Sequence, residues 1–334
     1  METLFIAVVV VALIFEYTNG FHDAANAIAT SIATRALRPW QALAMAGVLN
    51  VGGALLSTSV AATVAKGIVD SNVVTLQTVL AALVGAIAWN LLTWYYGIPS
   101  SSSHCLIGGM VGSTLATAGT GVQWMKIVEK VVVPMVVSPL VGFIFGILLT
   151  VALAWIFRSS PYGKVNRAFK YIQTLSASLM ALSHGQNDAQ KTMGIILLAL
   201  VAAGHLPKTA DVPLWVKLSC ATVMGLGTMV GGKRIIKTMG MKITDLRPAD
   251  GFAAETAASA VLLATGHLGF PVSTTHVITA SIMGVGATHR MHAVRWGITR
   301  SIVVAWVLTL PASALISALV AWLFKAWASV GWIH

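Results

Sequence analysis

Two aspartates lie inside strongly apolar stretches of the chain, each within a Gly-x-x-Asp-Ala pattern. Asp23 belongs to the first pattern, at residues 20–24, and Asp188 to the second, at residues 185–189. An ionised carboxylate is costly in hydrocarbon, so an aspartate within a membrane segment indicates a functional site. Carboxylate oxygens bind hard cations, and a carboxyl group can also carry a proton. Asp23 and Asp188 are therefore predicted to bind a coupling cation or a proton.

Amide side chains beside the two aspartates supply further oxygen ligands. Asn26 follows Asp23 by three residues, while Asn187 and Gln190 stand on either side of Asp188. Hard cations such as sodium take carboxylate and amide oxygens as ligands. The predicted sodium ligands are Asp23, Asn26, Asn187 and Asp188. Gln190 is predicted to assist cation or proton coupling.

A second repeated pattern joins a glycine, a proline, a run of hydroxyl residues and a histidine. It occurs at residues 97–104 and returns at residues 269–276 in the same register. A proline followed by hydroxyl residues is a favourable start for a helix, and the first N–H groups and positive dipole end of a helix attract anions. The two runs are therefore predicted to form the walls of an oxyanion site. The predicted hydroxyl ligands are Ser101, Ser102, Ser103, Ser273, Thr274 and Thr275.

Four further polar residues carry weaker signals. His104 and His276 end the two hydroxyl runs at matching positions and are predicted to support those runs rather than to ligate directly. Lys191, three residues after an aspartate, either contacts the anion or pairs with a nearby carboxylate. Glu255 lies in the apolar stretch before the second run and is predicted to be a further cation or proton site.

Other titratable residues near the motifs have less specific interpretations. His22 and His184 are not at equivalent positions, so both are expected to be structural. Glu16 is close to the first motif but near the end of a span, which leaves a capping or interfacial role open. A serine of residues 100–103 with His104 as its base would suggest a hydrolase, but neighbouring residues rarely hold that geometry and no Gly-x-Ser-x-Gly elbow occurs. The chain is therefore not predicted to be an enzyme.

The composition is that of a polytopic membrane protein. Of the 334 residues 57% are hydrophobic and only 9% are charged, whereas a soluble domain carries about 25% charged residues. The net charge of +11 comes from short basic clusters between apolar spans, which report topology rather than nucleic-acid binding. These clusters predict an external N-terminus and a cytoplasmic centre in the plasma (cell inner) membrane, with the lipid bilayer as the surroundings.

The spacing of the motifs predicts an all-α fold of two inverted-topology repeats. The first repeat spans residues 1–157, a short basic cytoplasmic linker spans 158–170, and the second repeat spans 171–334. The apolar stretches 4–34 and 171–204 exceed the length that crosses a bilayer, so each is predicted to be a helix broken at its aspartate motif. Residues 97–104 and 269–276 are predicted to form the tips of re-entrant helical hairpins, because non-helical backbone at membrane depth must be buried or line a cavity.

Four segments closely resemble the signatures of the inorganic phosphate transporter (PiT) family. They are GFHDAANAIAT at 20–30, SHGQNDAQKTMG at 183–194, GIPSSSSH at 97–104 and GFPVSTTH at 269–276. The resemblance implies an inverted-repeat transporter that imports phosphate with sodium, or with protons as neutral metal-phosphate. It also implies that Asp23, Asn26, Asn187 and Asp188 are the core of the substrate and cation site, with the hydroxyl runs as its phosphate-binding walls.

Departures from the family pattern leave the coupling ion open. Asn50 stands where sodium-coupled animal members carry a glutamate, whereas Glu255 matches their second glutamate. The large central loop of many members is absent, which indicates the compact bacterial or archaeal type. No cofactor is expected beyond sodium or a proton, and a homodimer is possible. The leading prediction is a secondary active phosphate symporter working by alternating access; the alternatives are a sulfate permease of the same family and an anion channel.

Overall fold

The structure is a computed structural model that describes residues 2–329. In the first half of the chain, short connections join successive helices. These are α1 (Glu2–Ala33), α2 (Pro39–Ala54), α3 (Ser59–Gly67), α4 (Leu76–Tyr96), α5 (Ser102–Ala118), α6 (Trp124–Ile127) and α7 (Val133–Ile156). A π-helical turn, Val128–Val132, joins α6 to α7. The predicted second repeat ends with residues 330–334, which lie outside the described residues.

The second half repeats this order of helices. It contains α8 (Tyr162–Ala202), α9 (Leu214–Val230), α10 (Lys233–Lys237), α11 (Pro248–His267), α12 (Thr274–His289) and α13 (Trp296–Ser329). A π-helical turn, Thr238–Lys242, follows α10, and a 3₁₀ turn, Met291–Ala293, precedes α13. Each half therefore has a long helix with an aspartate, a bent helix pair, a helical hairpin and a final long helix.

The helices confirm the multi-pass membrane assignment. By length and composition four helical segments can cross a bilayer within the described residues: α1, α4, Trp124–Ile156 and α13. Two bent pairs, α2 with α3 and α9 with α10, turn by 69° and 64° and could each make one further span. Pro139 lies inside α7 and Pro311 inside α13.

The two halves exchange packing partners. α7 of the first half packs against α11 and α12 of the second, and α13 of the second half packs against α4 and α5 of the first. In the same way α2 contacts α8, and α9 contacts α1. This reciprocal arrangement agrees with a duplicated fold, while the inverted orientation and the limits of the repeats stay predictions.

The predicted breaks at the aspartate motifs are wrong, because α1 and α8 run through them without interruption. The motif glycines serve close helix crossings instead. A Cβ atom on Gly20 would lie 2.6 Å from the carbonyl oxygen of Met224, and one on Gly185 would lie 2.3 Å from that of Asn50. Glycine at these positions lets α9 pack closely against α1 and α2 against α8, and the helices continue without unwinding the backbone.

The two predicted hairpins are present, and their tips are buried. Gly97 and Gly269 adopt φ values of 67° and 75°, a left-handed conformation that glycine adopts at little cost. The chain then stays non-helical until α5 begins at Ser102 and α12 begins at Thr274. The proline and hydroxyl run thus starts a helix in the interior of the protein in both halves.

The connection between the halves is shorter than the sequence predicts. Only residues 157–161 separate α7 from α8. Pro161 stands at the N-cap of α8, and proline is readily accommodated where a helix begins. The rest of the predicted linker is helical, so its basic residues Lys164, Arg167 and Lys170 lie in the first turns of α8.

Candidate functional site

The two aspartate motifs meet in the interior. Ligand atoms of Asp23, His184 and Asp188 all lie within 4.8 Å of one another, and all three residues are buried. Asp23 comes from α1 and Asp188 from α8, so each half contributes one carboxylate. The continuous helices cross closely enough at their glycines to bring these carboxylates together.

Asp188 is surrounded by cationic and hydroxyl donors. Lys191, one turn along α8, pairs with Oδ1 of Asp188. His184, one turn back on the same helix, places Nε2 3.1 Å from Oδ2, and the Thr274 hydroxyl donates to Oδ2 at 2.8 Å. The Lys191 ammonium therefore offsets the charge of this carboxylate inside the protein.

Asp23 has a different set of partners. His22 Nδ1 lies 2.7 Å from Asp23 Oδ1, and the Thr275 hydroxyl donates to the same oxygen at 3.5 Å. The other ring nitrogen of His22 lies 3.0 Å from the Thr93 hydroxyl and 3.3 Å from that of Ser100. No lysine or arginine pairs with Asp23 among the described residues.

Both hairpin tips contact this cluster. Lys191 donates to the Ser103 hydroxyl on the first tip and to the Val272 carbonyl on the second at 2.9 Å. Asn26 donates to the hydroxyls of Thr274 and Thr275 at 3.1 and 3.0 Å. These side chains are each no more than 4% exposed, so the structure holds the cluster closed to solvent.

Of the six predicted hydroxyl ligands, two cap helices, one binds Asn90 and three contact the charged cluster. Ser101 and Ser273 accept hydrogen bonds from the backbone N–H groups of the histidines three residues on, both at 3.2 Å, and so cap α5 and α12. Ser102 donates to Asn90 Oδ1 at 3.2 Å. The hydroxyls that contact the charged cluster are those of Ser103, Thr274 and Thr275.

Unpaired polar atoms around the cluster suit ions of both signs. Oδ1 of Asn26 and Oδ1 of Asn187 are buried acceptors without donors, whereas Nδ2 of Asn90 is a buried donor without an acceptor. Buried polar groups are normally hydrogen-bonded, so unpaired ones beside a charged cluster are candidate contacts for a bound ion or water. The two carboxamide oxygens fit a cation, and the amide N–H group fits an anion. Asn187 itself is held by its own Nδ2, which donates to the Leu262 carbonyl at 2.9 Å.

His104 and His276 join the two tips, and their supporting role in binding stays a prediction. Their ring centroids are 4.7 Å apart in an edge-to-face arrangement. The ring of His276 also stacks on Trp306 at 4.0 Å, and the Trp306 indole N–H donates to the Pro99 carbonyl at 3.1 Å. The matched histidines thus hold the first tip, the second tip and α13 against one another.

Two predicted coupling residues lie outside the cluster. Oε1 of Gln190 accepts from the backbone N–H groups of Val60 and Ala61 at 2.8 and 3.3 Å, so this amide caps the start of α3. Glu255 accepts from Thr30 at 2.5 Å, from Gln173 at 3.0 Å and from the Ser176 hydroxyl. It forms a separate buried polar cluster between α1, α8 and α11, where its coupling role stays a prediction.

The sequence interpretation missed the two histidines that touch the aspartates. His22 and His184 were expected to be structural because their positions do not match between the motifs. Helical spacing offered a signal for His184, since residues four apart share a helix face. No local signal identifies Thr93 and Ser100 as partners of His22. Thr93 lies on α4 and Ser100 lies at the tip of the α4–α5 hairpin, both more than 70 residues away from His22 in the sequence.

Comparisons with known proteins agree with this architecture. Residues 19–317 match the phosphate transporter family. A "Probable low-affinity inorganic phosphate transporter" of Mycobacterium tuberculosis (strain ATCC 25618 / H37Rv) is 51% identical over 317 residues, covering 94% of this chain and 76% of the relative. A protein of Bacillus subtilis (strain 168) with the same description is 47% identical over 320 residues, covering 95% and 96%.

A solved structure has the same fold. The structure described as "The sodium-dependent phosphate transporter" superposes with a TM-score of 0.87 at 27% identity, covering 97% of this chain and 99% of that one. The family match spans both aspartate motifs and both hairpins. The chain belongs to the phosphate transporter family.

Proposed function

We propose that this protein is a secondary active transporter that imports inorganic phosphate across the plasma membrane by symport with sodium or protons. One observation carries the proposal: Asp23 and Asp188, one from each half, meet in a buried cluster that contacts hydroxyls of both hairpin tips. The family membership and the descriptions of the relatives support phosphate as the substrate. The basic clusters of the chain support an external N-terminus and a cytoplasmic α7–α8 connection.

The charges of the cluster explain why an anion needs a companion. Asp23 and Asp188 bring two negative charges when ionised, and Lys191 returns one positive charge. A phosphate anion would add further negative charge to a buried site, where unpaired charge is very costly. A cation or a proton that enters with phosphate removes this cost. Symport is therefore the mode of transport that the cluster favours.

The anion side of the site is formed by the hairpin tips. Hydroxyls of Ser103, Thr274 and Thr275 and the ammonium of Lys191 can donate to phosphate oxygens, and Nδ2 of Asn90 is a free buried donor. The starts of α5 and α12 add the positive ends of two helix dipoles. In transporters, such half-helix starts commonly face anionic substrate groups.

The cation side is formed by the motif carboxylates and amides. Oδ1 of Asn26 and Oδ1 of Asn187 lack donors, as ligands of a sodium ion would before it binds. Asp23 and Asp188 complete an all-oxygen ligand set of the kind that hard cations prefer. A proton on either carboxylate is the alternative, and a measurement must decide between them.

Alternating access follows from the interlocked halves. The cluster is closed to solvent, and its two aspartates lie where α1 of the first half packs against α8 of the second. Rocking of one half against the other would open the cluster to one side at a time. Phosphate and its cation would then enter from outside and leave toward the cytoplasm.

Uptake of radiolabelled phosphate into proteoliposomes tests this function. Sodium and proton gradients should be imposed separately, with unlabelled sulfate as competitor. We expect saturable uptake that needs one of the gradients and resists sulfate, and loss of uptake in Asp23→Asn and Asp188→Asn. The exposed loop variant Asp211→Asn is the matched control.

Each alternative has its own outcome in that experiment. Unchanged uptake in both motif variants would remove the role assigned to the aspartates. Equal competition by sulfate would favour the sulfate permease of the same family. Uptake that neither saturates nor depends on a gradient would favour the anion channel.

A further inference from the structure

A cavity lies at the connection between the two halves, away from the aspartate cluster. Its volume is about 360 Å³. It is lined by the end of α7, the α7–α8 connection, the first turns of α8, the start of α11 and the end of α12. Asp23, His184 and Asp188 do not line it. The cavity is therefore separate from the site described above, and it is bordered by both halves of the protein.

One wall of this cavity is apolar. Leu153 and Ala154 line it from the last turns of α7, and Phe157 lines it directly after that helix. The ring of Phe169 on α8 packs edge-to-face against Phe157, with 5.4 Å between the ring centroids. The segment Trp124–Ile156 is long and apolar enough to cross a bilayer. Because that segment ends beside this wall, the wall lies where the hydrocarbon of the bilayer ends.

The opposite side of the cavity carries two guanidinium groups. Arg158 stacks over the Trp155 ring at 4.9 Å from its centroid, and Arg247 stacks over the Tyr162 ring at 5.2 Å. Stacking engages the flat face of a guanidinium, so the N–H donors along its edge stay available. Neither guanidinium pairs with a carboxylate in the part of the chain that the structure describes. Both rings are more than half exposed, as aromatic residues at a membrane interface are.

The single carboxylate among the described residues that line the cavity is already engaged. Asp250 Oδ2 accepts the backbone N–H of Arg247 at 2.9 Å, and Oδ1 lies 2.8 Å from Nε2 of His289. The side chain of Asp250 is 5% exposed. Residues 157–170 contain no acidic residue. The basic residues of that segment are Arg158, Lys164, Arg167 and Lys170. The polar side of the cavity is therefore positively charged.

A basic end beside an apolar wall at the end of a membrane span fits an amphipathic anion. Guanidinium groups match the geometry of phosphate oxygens and can bind them through two N–H donors at once. Basic pockets between membrane helices bind anionic lipid head groups. A free phosphate ion would use the guanidinium groups but would leave the apolar wall without a partner. The lipid of the surrounding bilayer is therefore the occupant that uses both sides of the cavity.

We propose that this cavity binds the head group of one anionic phospholipid. The phosphodiester lies between Arg158 and Arg247, and the side chains of Tyr162 and Asn166 supply neutral donors to the head group. The acyl chains follow the apolar face of α7 into the bilayer. Since α7 belongs to the first half and α8 and α11 to the second, the bound lipid contacts both halves at their connection. Lipid binding here does not depend on which substrate the protein transports.

Native mass spectrometry of the full chain tests the site. The delipidated protein in detergent is titrated with phosphatidylglycerol or with phosphatidylcholine of the same acyl chains. We expect the wild type to retain one phosphatidylglycerol more tightly than phosphatidylcholine. The double variant Arg158→Gln with Arg247→Gln should bind phosphatidylglycerol roughly 30-fold more weakly, because each basic residue near an anionic lipid contributes roughly 5-fold. Equal affinity of the wild type for the two lipids would overturn the proposal.

A charge-matched variant separates the cavity from general attraction of a basic protein for anionic lipid. Arg38→Gln with Arg300→Gln removes the same charge from exposed positions that do not line the cavity. This control should keep the affinity of the wild type for phosphatidylglycerol. The proposal is wrong if the control loses as much affinity as the cavity variant, or if the cavity variant loses none. Thermal unfolding without added lipid should be the same for both variants.

A third variant tests the apolar wall and does not rely on the arginine variants folding. Ala154→Trp fills the wall and leaves both guanidinium groups in place, so it should lower the affinity for phosphatidylglycerol. Millimolar inorganic phosphate, added as a competitor, should not displace the lipid from the wild type. Displacement by inorganic phosphate, together with unchanged lipid affinity in Ala154→Trp, would identify a site for a free anion and overturn the assignment to a phospholipid.

Discussion

The two aspartate motifs occupy matching places in the two halves but have different electrostatic surroundings. Three residues after Asp23 the first motif carries Asn26, whereas three residues after Asp188 the second carries Lys191. Lys191 pairs with Asp188. Asn26 turns its N–H group to the second hairpin tip instead, and Asp23 contacts a histidine and a hydroxyl.

This difference shows how two repeated halves can contribute chemically different side chains to one site. The second motif has a counter-cation built into the chain at Lys191, whereas no lysine or arginine pairs with the carboxylate of the first motif among the described residues. We infer that Asp23 is the carboxylate that responds to the coupling ion. Asp188 has the further duty of holding Lys191 between the hairpin tips.

Removing each carboxylate in turn should give the largest difference between the two motifs in the free energy of unfolding. Asp188→Asn leaves the Lys191 ammonium buried without its carboxylate, so we expect the free energy of unfolding to fall by about 3–5 kcal/mol. Asp23→Asn breaks no pair with a lysine or arginine and should lower it far less. Thermal or denaturant unfolding in detergent measures both. Equal losses would mean that the lysine does not distinguish the two sides.

Making the first motif resemble the second should remove its response to the coupling ion. In Asn26→Lys an ammonium can pair with Asp23 across one helical turn, as Lys191 does with Asp188. We expect phosphate uptake at least ~10-fold lower, equivalent to ~1.4 kcal/mol, with the fold retained. Uptake under each gradient is the measurement, and Asn26→Gln, which keeps an amide, is the control. Wild-type uptake with an unchanged ion requirement would contradict the inference.

Substitution of the glycine at either helix crossing should lower the stability of the protein by a similar amount, whereas substitution of the two aspartates should not. Gly20→Ala and Gly185→Ala each push a Cβ atom against a backbone carbonyl, at 2.6 and 2.3 Å. Overpacking of this kind typically costs about 1–3 kcal/mol, and both variants should lose similar stability. Gly163→Ala, with no atom within 4 Å of the new Cβ, should lose none. A loss confined to one crossing would argue against equivalent packing.

At the ends of the two hairpins opposite their tips, the residues that join the two helices differ. This difference is expected to have the smallest effect on stability and to depend on pH. In the α4–α5 hairpin the hydroxyls of Thr78 and Thr117 lie 3.0 Å apart, and in the α11–α12 hairpin His289 lies 2.8 Å from Asp250. The hydrogen bond to Asp250 raises the pKa of His289 above its ordinary value. The proton therefore stabilises the folded state at low pH, and this contribution is lost as pH rises through the raised pKa.

Thermal unfolding measured across the histidine titration range checks this contrast. We expect a small decrease in stability with rising pH, because His289 is more than one third exposed and solvent screens such pairs. The double variant Asp250→Thr with His289→Thr copies the first hairpin and should remove that decrease. A pH profile identical to the wild type would show that this contact is not its source.

Local signals explain which parts of the site were predictable. Pro99 and Pro271 follow glycines that adopt positive φ, and a serine in each hydroxyl run caps the next helix. These interactions span a few residues, so both hairpins could be predicted from the sequence. Gly20 and Gly185 gave a misleading signal, because a glycine that breaks a helix and one that allows a close crossing look alike in sequence.

The sequence by itself determined the membrane character, the repeated motifs, the hairpins and most of the residue types that gather in the buried cluster. Only the tertiary structure decided that His22 and His184 hold the aspartates, that Gln190 caps α3 and that Glu16 accepts a hydrogen bond from Thr192 in the interior. The physical reason is range. Turns and caps are decided within a few residues, whereas the partners of Gln190 and Glu16 lie 130 and 176 residues away and depend on where helices of the two halves cross.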